Sequence, residues 1–331
     1  MKNLRMKHLV LAILLAVSLP ACGGGGGGGD GSTAGISYTG LTTQATIDEN
    51  NAEDLVTGAY QGGQVGAAIG SLGAIQAGES GPVGYSRMLK VSQVLEGSLR
   101  QVDLMSISAG TFVGAVDTES DTIYGDCGGS ASITISGDDQ TGDFSGSINF
   151  NNYCEDGVTI SGDMDISGQL DVNTEELIEF DFSFDNVTCT MDNDSMTLNG
   201  NISFDNIVSP PTITMTMLLQ DNNTEKVYKV KDYTMTLTEE ASYEDVEVSG
   251  TYFDPDYGYV SISTTTPLRI YYYDDYPSGG VIVVTGETGI AGGSTMARLT
   301  VLTSTTYQIE ADTNGDGTYD WNSGDLNWSD I

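Results

Sequence analysis

Along most of the chain, apolar and polar residues alternate with a period of two. Ser132-Ile133-Thr134-Ile135 sets the pattern, and residues 144–150, 158–166, 180–184 and 196–204 repeat it. In each run one face is Ile, Val, Met or Phe and the other is Thr, Ser, Asp or Asn, as in strands buried on one side only. Gly, Asp and Asn punctuate the runs and supply the turns. Further runs at 212–219, 226–231, 233–237, 246–252, 259–263, 268–273, 281–285 and 299–311 carry the pattern towards the C-terminus. A sheet of this size with one apolar face must pack on another sheet or curl on itself. The expected fold is therefore mainly β: an antiparallel meander over 108–331, curled into a barrel-like or two-layer sheet. A transmembrane barrel also alternates, but short strands and a polar set rich in Asp and Asn favour a sheet in water.

The pattern also predicts register. Setting Ile133 opposite Ile148 brings Cys127 opposite Cys154, which predicts a disulfide between them. In the next hairpin, Phe150 aligns with Val158, Ile148 with Ile160 and Phe144 with Met164. Phe180, Phe182 and Phe184 are even-numbered, whereas Val187, Cys189 and Met191 are odd, so the inward set changes parity at Asp185-Asn186. That change predicts a β-bulge. Cys189 shares its face with Val187 and Met191 and reads as a buried, inert thiol. Ser183-Phe184-Asp185-Asn186-Val187 nearly recurs as Ser203-Phe204-Asp205-Asn206-Ile207, an echo too short to define a repeat architecture.

Before the β region the period is helical. Thr46-Ile47-Asp48-Glu49 has the spacing of a capping box, and Ala52, Leu55, Val56 and Ala59 follow on one stripe, which predicts a helix over 48–60. Residues 62–81, rich in Gly and Ala, read as a loosely structured connection. A second helix is expected over 85–102, with Met88, Val91, Leu95, Leu99 and Val102 on one face despite Gly97. Residues 36–107 thus form a small helical element.

The first residues have a different character. Lys2, Arg5 and Lys7 precede an apolar run over 9–19 that is too short to span a bilayer, as in a secretory signal peptide. The run ends in Leu19-Pro20-Ala21-Cys22, which resembles the lipobox of bacterial lipoproteins, with Pro20 an unusual choice. The resemblance implies that 1–21 is removed and that Cys22 carries the lipid. Two or three acyl chains, at about 0.8 kcal/mol per buried CH₂, anchor a protein durably. Residues 22–35, with unbroken glycine over 23–29, read as a flexible tether. By the same family analogy, Gly23 rather than Asp after the cysteine implies the outer membrane, facing either the periplasm or the surface.

The chain carries 47 Asp and Glu against 11 Lys and Arg, and loss of the three signal-peptide cations moves the formal charge from −36 to −39. Such a surface repels phosphate backbones, which excludes nucleic acid as a partner. The single histidine, His8, lies in the signal segment. A mature chain without histidine excludes Ser-His-Asp and Cys-His chemistry and every His-ligated metal site.

One motif has cation-binding spacing. Asp312, Asn314, Asp316 and Asp320 occupy positions 1, 3, 5 and 9 of a calcium loop, Gly317 the turn position, and Thr318 the position that offers its carbonyl. Position 12 is Ser323 rather than Glu, and strands rather than helices flank the loop. The same residues also compose a polar hairpin turn, so a bound Ca²⁺ and a bare turn both stay open. Tyr271-Tyr272-Tyr273-Asp274-Asp275-Tyr276 sets aromatics beside carboxylates, which suits a glycan-binding surface and equally an ordinary edge strand.

Three stretches resemble uncharacterised lipoproteins and secreted β-rich proteins of proteobacteria. They are Tyr38-Thr39-Gly40-Leu41-Thr42-Thr43-Gln44-Ala45 with Asn51-Ala52; Gly258-Tyr259-Val260 with Thr264-Thr265-Thr266-Pro267 and Pro277-Ser278-Gly279; and Asp312-Thr313-Asn314-Gly315-Asp316-Gly317. The resemblance supports an envelope address and names no reaction. The expected role is non-enzymatic, structural or binding, with the membrane as one partner through the lipid and an envelope protein or glycan as another. The alternative is a glycan-binding module or a carboxylate-dependent glycan-active enzyme.

Overall fold

The computed structural model describes residues 35–70 and 117–330, apart from 139, 156, 173–176, 192–193, 273 and 275. The expected signal peptide, Cys22, the tether up to residue 34 and the helix over 85–102 lie outside the described residues. One helix, α1 (Ala52–Gly70), precedes fourteen strands. These are β1 (Asp117–Tyr124), β2 (Gly128–Gly137), β3 (Asp143–Glu155), β4 (Val158–Leu170), β5 (Leu177–Met191), β6 (Asp194–Asp205) and β7 (Thr212–Asp221). They continue as β8 (Lys226–Glu239), β9 (Tyr243–Asp254), β10 (Gly258–Tyr271), β11 (Gly279–Thr288), β12 (Ser294–Thr303), β13 (Thr306–Asp312) and β14 (Trp321–Asn327). All pair antiparallel in chain order, so the meander expected from the alternation is present as one sheet. The sheet is not closed: β1 and β14 are its edges.

The alternation is realised as burial. In β7 the apolar set Ile213, Met215, Met217 and Leu219 is at most 2 % exposed, and the intervening residues are not buried. Neighbouring strands stack their apolar sets in register, as with Ile133 opposite Ile148 and Ile202 opposite Met215. The bulge at Asp185-Asn186 is present. Asn186 takes φ 53°, and the pairing of β5 with β6 slips between Phe184 and Val187. Across from it Gly162 has φ 121°, and a Cβ there would lie 2.8 Å from the Asn186 carbonyl oxygen.

Four expectations need correction. In the hairpin of β3 and β4, Ile148 faces Met164 rather than Ile160, and Phe144 faces Gly168. Glu155 pairs with Val158 across the tight turn at Gly157 (φ 80°), and a bulge at Asn152 (φ 49°) shifts the pairing by one between Tyr153 and Phe150, so turn and bulge together fix the register. An even slip leaves every apolar residue on its own face, so alternation alone could not detect it. Second, the run over 299–311 is two strands, broken because the Thr303 hydroxyl accepts the Thr305 and Thr306 amides at 3.2 and 3.1 Å. Third, the runs at 226–231 and 233–237 are one strand, β8, with a bulge at Asp232 (φ 52°).

The fourth concerns the helix. The cap is Asp48 with Asn51, not Thr46 with Glu49: the Asp48 carboxylate accepts the Asn50 amide at 2.8 Å and the Asn51 side chain accepts the Asp48 amide at 2.9 Å. Thr46 instead donates to Glu287 at 3.2 Å. The helix then runs ten residues past the expected end, through Gly62 and Gly63. Glycine costs about 1 kcal/mol relative to alanine in a helix, but here it sets the packing distance. A Cβ on Gly58 would lie 2.3 Å from the Tyr252 hydroxyl, and one on Gly62 would lie 2.6 Å from Val230.

These contacts show that the sheet curves around α1. At one level of the helix, Ala59 accepts a hydrogen bond from Tyr233 of β8 (3.1 Å), while Tyr60 packs on Trp328, which packs on Tyr307 of β13 (centroids 5.2 and 4.5 Å). In a flat sheet at ~4.8 Å per strand those strands would lie ~24 Å apart, against a helix ~10–12 Å wide. Ala52, Leu55, Val56 and Ala59 are fully buried and Tyr60 is 5 % exposed. The edge strand β1 carries the exposed Asp121, a charge that discourages pairing with a further strand.

The disulfide Cys127–Cys154 is formed, with Cα atoms 5.1 Å apart, while Gly128 takes the ladder position opposite Cys154. Cys189 is free and buried, and burial pushes its thiol pKa up to about 12. Reduction is expected to lower stability by about 3 kcal/mol on the chain-entropy account, read as a lower denaturation midpoint for Cys127→Ser/Cys154→Ser. Mapping under non-reducing conditions should find Cys189 unlinked. Gly58→Ala is expected to destabilise by about 1–3 kcal/mol through overpacking against Tyr252, whereas helix propensity alone predicts a gain; thermal unfolding decides between them.

Candidate functional site

The described chain begins outside the helix, and residues 35–47 run as a strap across one end of the sheet. The Ile36 amide bonds Asn186 of β5 at 3.0 Å. The Tyr38 hydroxyl lies 2.8 Å from the Leu41 carbonyl and 2.9 Å from that of Asp254, and the Leu41 amide bonds the Pro255 carbonyl. The strap then enters the sheet. Gln44 bridges Tyr259 of β10 in parallel, through Ala45 N–H to Tyr259 O (2.8 Å) and Tyr259 N–H to Thr43 O (3.0 Å). On the other side, Glu287 of β11 donates to Ala45 O at 2.7 Å. A strand end thus sits between β10 and β11, which pair directly only from Ser261 and Thr285 inward. Both walls carry a glycine: a Cβ on Gly258 would lie 2.3 Å from Thr43 O, and one on Gly286 would lie 2.4 Å from Ala45 O.

The strap leads to a buried junction. Ile47 is fully buried, and its amide donates to the hydroxyl of Thr295, itself 0 % exposed, at 3.1 Å. That hydroxyl donates to the Glu287 carbonyl at 3.0 Å, tying β11 to β12. The turn between them docks on the acidic loop through Ala291 N–H to Asn314 O (2.9 Å) and Gly293 N–H to Gly315 O (3.0 Å). Residues 38–45, the start of β10 at Gly258-Tyr259-Val260 and the loop at 312–317 thus meet at one end of the sheet, whereas Pro277-Ser278-Gly279 lies at the other, where Ser278 bonds the Arg269 carbonyl.

Within the loop, the fully buried Asp312 carboxylate accepts the amides of Gly315 (2.7 Å), Asp316 (3.2 Å) and Gly317 (2.7 Å). Asp316 accepts the Thr318 amide at 2.8 Å. Asp320 accepts the Thr313 amide and hydroxyl and the Asn314 side-chain amide, and the Thr313 donors hold its pKa below the usual carboxylate value. Each predicted ligand is therefore in the loop, but Asp312 and Asp320 answer backbone and side-chain donors. Among the described residues no three Asp, Glu, Cys or His side chains gather as a metal-holding group. Asn314 Oδ1 is buried with no hydrogen-bond partner.

The end is acidic but not uniformly solvated. Asp254 is 6 % exposed and accepts the amides of Asp256 (2.8 Å) and Tyr257 (3.2 Å). Its pKa is raised, because burial outweighs those bonds. Burial, with the charges of Asp254 and Asp256, pushes Tyr38 up to about 12. Local cations are spoken for: Lys226 pairs with Asp256, Arg298 pairs with Glu310 and stacks 4.1 Å over Tyr319. Thr295 and Asp254 were not singled out by the sequence; each lies in an ordinary polar slot, and only the strap arriving from more than 200 residues away buries them.

The tyrosine cluster lies at the opposite end and divides. Tyr276 stacks on Trp328 at 5.6 Å. Tyr271 (40 % exposed) and Tyr272 (46 %) face solvent, the former edge-on to Tyr243. Arg269 lies 4.0 Å over the Tyr243 ring and is held by Asp245 at 2.9 and 3.0 Å.

Compared with known proteins, the chain matches no protein-family model, no curated protein and no solved structure. The raised pKa of Asp254 gives a signed expectation. A carboxylate with a raised folded pKa contributes stability below its unfolded value, and that contribution is lost as pH rises through the folded value. Asp254→Asn keeps the acceptor oxygen and removes the buried charge. Its stability relative to wild type should increase between pH 4 and pH 7 in urea titrations, beyond the change seen for the exposed Asp165→Asn; an equal change in both would contradict the assignment.

Proposed function

We propose that this chain is an exported, lipid-anchored envelope domain with a non-enzymatic structural or binding role. The observation that carries the reading is the strap. The glycine tether expected after Cys22 leads directly into residues 35–47, which are hydrogen-bonded into the sheet on both sides. A domain held to a membrane through its N-terminus needs the chain that enters it fixed to its core, and burial of Ala45 and Ile47 at 1 % or less provides that. The strongly acidic composition keeps such a domain in solution beside the membrane. No described helix is long and apolar enough to cross a membrane. The exposed Tyr271 and Tyr272 favour a glycan-binding role as the second reading, since tyrosine faces stack on sugar rings.

A calcium ion at 312–320 is a further part of this proposal, favoured by the unpartnered, buried Asn314 Oδ1. Asp312, Asn314, Asp316 and Asp320, with the Thr318 carbonyl, are its ligand set.

Labelled fatty acid should enter the wild-type chain and not Cys22→Ala, which should be recovered free in the periplasm; an unlabelled wild type overturns the anchor. Screening the mature domain against polysaccharides should show no turnover, and turnover abolished by a single Asp→Asn change would establish an enzyme. Millimolar Ca²⁺, but not Mg²⁺, should raise the thermal midpoint over chelator, by about 2.7 kcal/mol of linkage at a hundredfold excess over Kd, and Asp316→Ala should abolish the effect. Equal midpoints would leave the loop a polar turn.

A further inference from the structure

We propose that the 312–320 loop, the turn between β11 and β12, and the strap form one cooperative unit, so that the state of the loop sets how firmly the strap is held. The reading of the strap as the membrane connection rests on the lipid anchor proposed above, whereas the coupling itself does not. The contacts are continuous. The Asp312 carboxylate fixes the amides of Gly315, Asp316 and Gly317. The peptide groups it fixes include that of Gly315, whose carbonyl receives the Gly293 amide, and the neighbouring Asn314 carbonyl receives that of Ala291. Two residues after Gly293, the Thr295 hydroxyl is the acceptor for Ile47 and the donor to Glu287, and Glu287 bonds Ala45.

The geometry leaves little slack for these elements to shift independently. A Cβ on Gly289 would lie 2.3 Å from Asn314 O, one on Gly293 would lie 2.5 Å from Gly315 O, and one on Gly286 would lie 2.8 Å from the Thr295 hydroxyl. At Gly289 and Gly293 backbone meets backbone, and the two side chains in the path, Asp312 and Thr295, are short and each held by more than one hydrogen bond. Thr295 and Asp312 are both 0 % exposed, so water does not replace a bond broken there. A buried amide left without its acceptor favours local opening by about tenfold, enough to bias opening of the strap. Coupling of this kind is reciprocal: whatever tightens the loop tightens the strap, and strap release loosens the loop.

The test is native-state hydrogen exchange on the full chain in detergent, comparing wild type, Asp312→Asn, Thr295→Val and the double variant. Asp312→Asn keeps the size of the side chain and weakens its hold on the loop amides. It should reduce protection of the Ala45 and Glu287 amides by about tenfold or more, while β3 to β6 keep theirs. Thr295→Val removes the junction hydroxyl and should reduce protection across 289–293 and at Gly315 as well as in the strap. The double variant should show less than the product of the single effects. Effects of Asp312→Asn confined to 312–320, or effects that multiply independently, would overturn the proposal. Global loss of protection in one variant is resolved by Gly286→Val, which crowds the strap from the other side and should loosen 312–320 if the unit is cooperative. Acyl labelling of the same samples reports the anchor separately, so failure of one reading does not imply failure of the other.

Discussion

Fourteen strands that share one apolar face have to bury it, and over β6–β9 and β11–β13 they bury it against α1. A flat sheet could not reach that helix from β8 and β13 at the same level, so curvature follows from the helix as much as from strand twist. Gly58 and Gly62 set how close the sheet comes, and Tyr252 and Val230 occupy the space their missing side chains leave. Bulges at Asn186 and Asp232 let long strands bend without breaking the ladder.

The same requirement explains the strap. A helix inside a curved sheet must be entered from one end, and the chain before it has to cross the strand ends. Doing so as a hydrogen-bonded segment between β10 and β11 satisfies backbone groups that would otherwise be buried without partners. It also places the acidic loop, the Asp254 turn and the strap side by side. The charge there is managed locally: Asp254 and Asp312 are each held by backbone amides rather than by cations. The opposite end is closed by Trp328 between Tyr60, Tyr276 and Tyr307, which ties the last strand and the β10–β11 loop to the helix.

The alternation of Ile213, Met215, Met217 and Leu219, and its counterparts in the strands between β1 and β14, was enough to establish a mainly antiparallel β chain and the inward set, whereas the edge strand β1, with no buried apolar row, was not legible. It was enough to find the bulge at Asp185-Asn186, because a bulge inverts parity, and to bring Cys127 near Cys154, although the ladder shifts by one beyond Ser130 and puts Gly128 opposite Cys154, with the disulfide closing just outside the strand. The acidic loop and the tyrosine cluster were visible as local composition, and the structure places them at opposite ends of the sheet.

Tertiary structure decided what parity cannot see. An even slip, as between Ile160 and Met164 opposite Ile148, changes no residue's face, so the turn at Gly157 and the bulge at Asn152 fix it. The glycines of α1 read as a loose connection because helix propensity is local, whereas the close approach to Tyr252 and Val230 that requires them comes from strands far along the chain. The strap carries no signal of its own: Thr43, Gln44 and Ala45 gain partners only when Tyr259 and Glu287 are brought to either side. Period and parity are properties of neighbours in sequence, and they determined the strands. Curvature around the helix, the junction at Thr295 and the docking of the strap beside Tyr259 and the β11–β12 turn on the acidic loop depend on contacts between distant segments, which only the folded sheet brings within hydrogen-bonding distance.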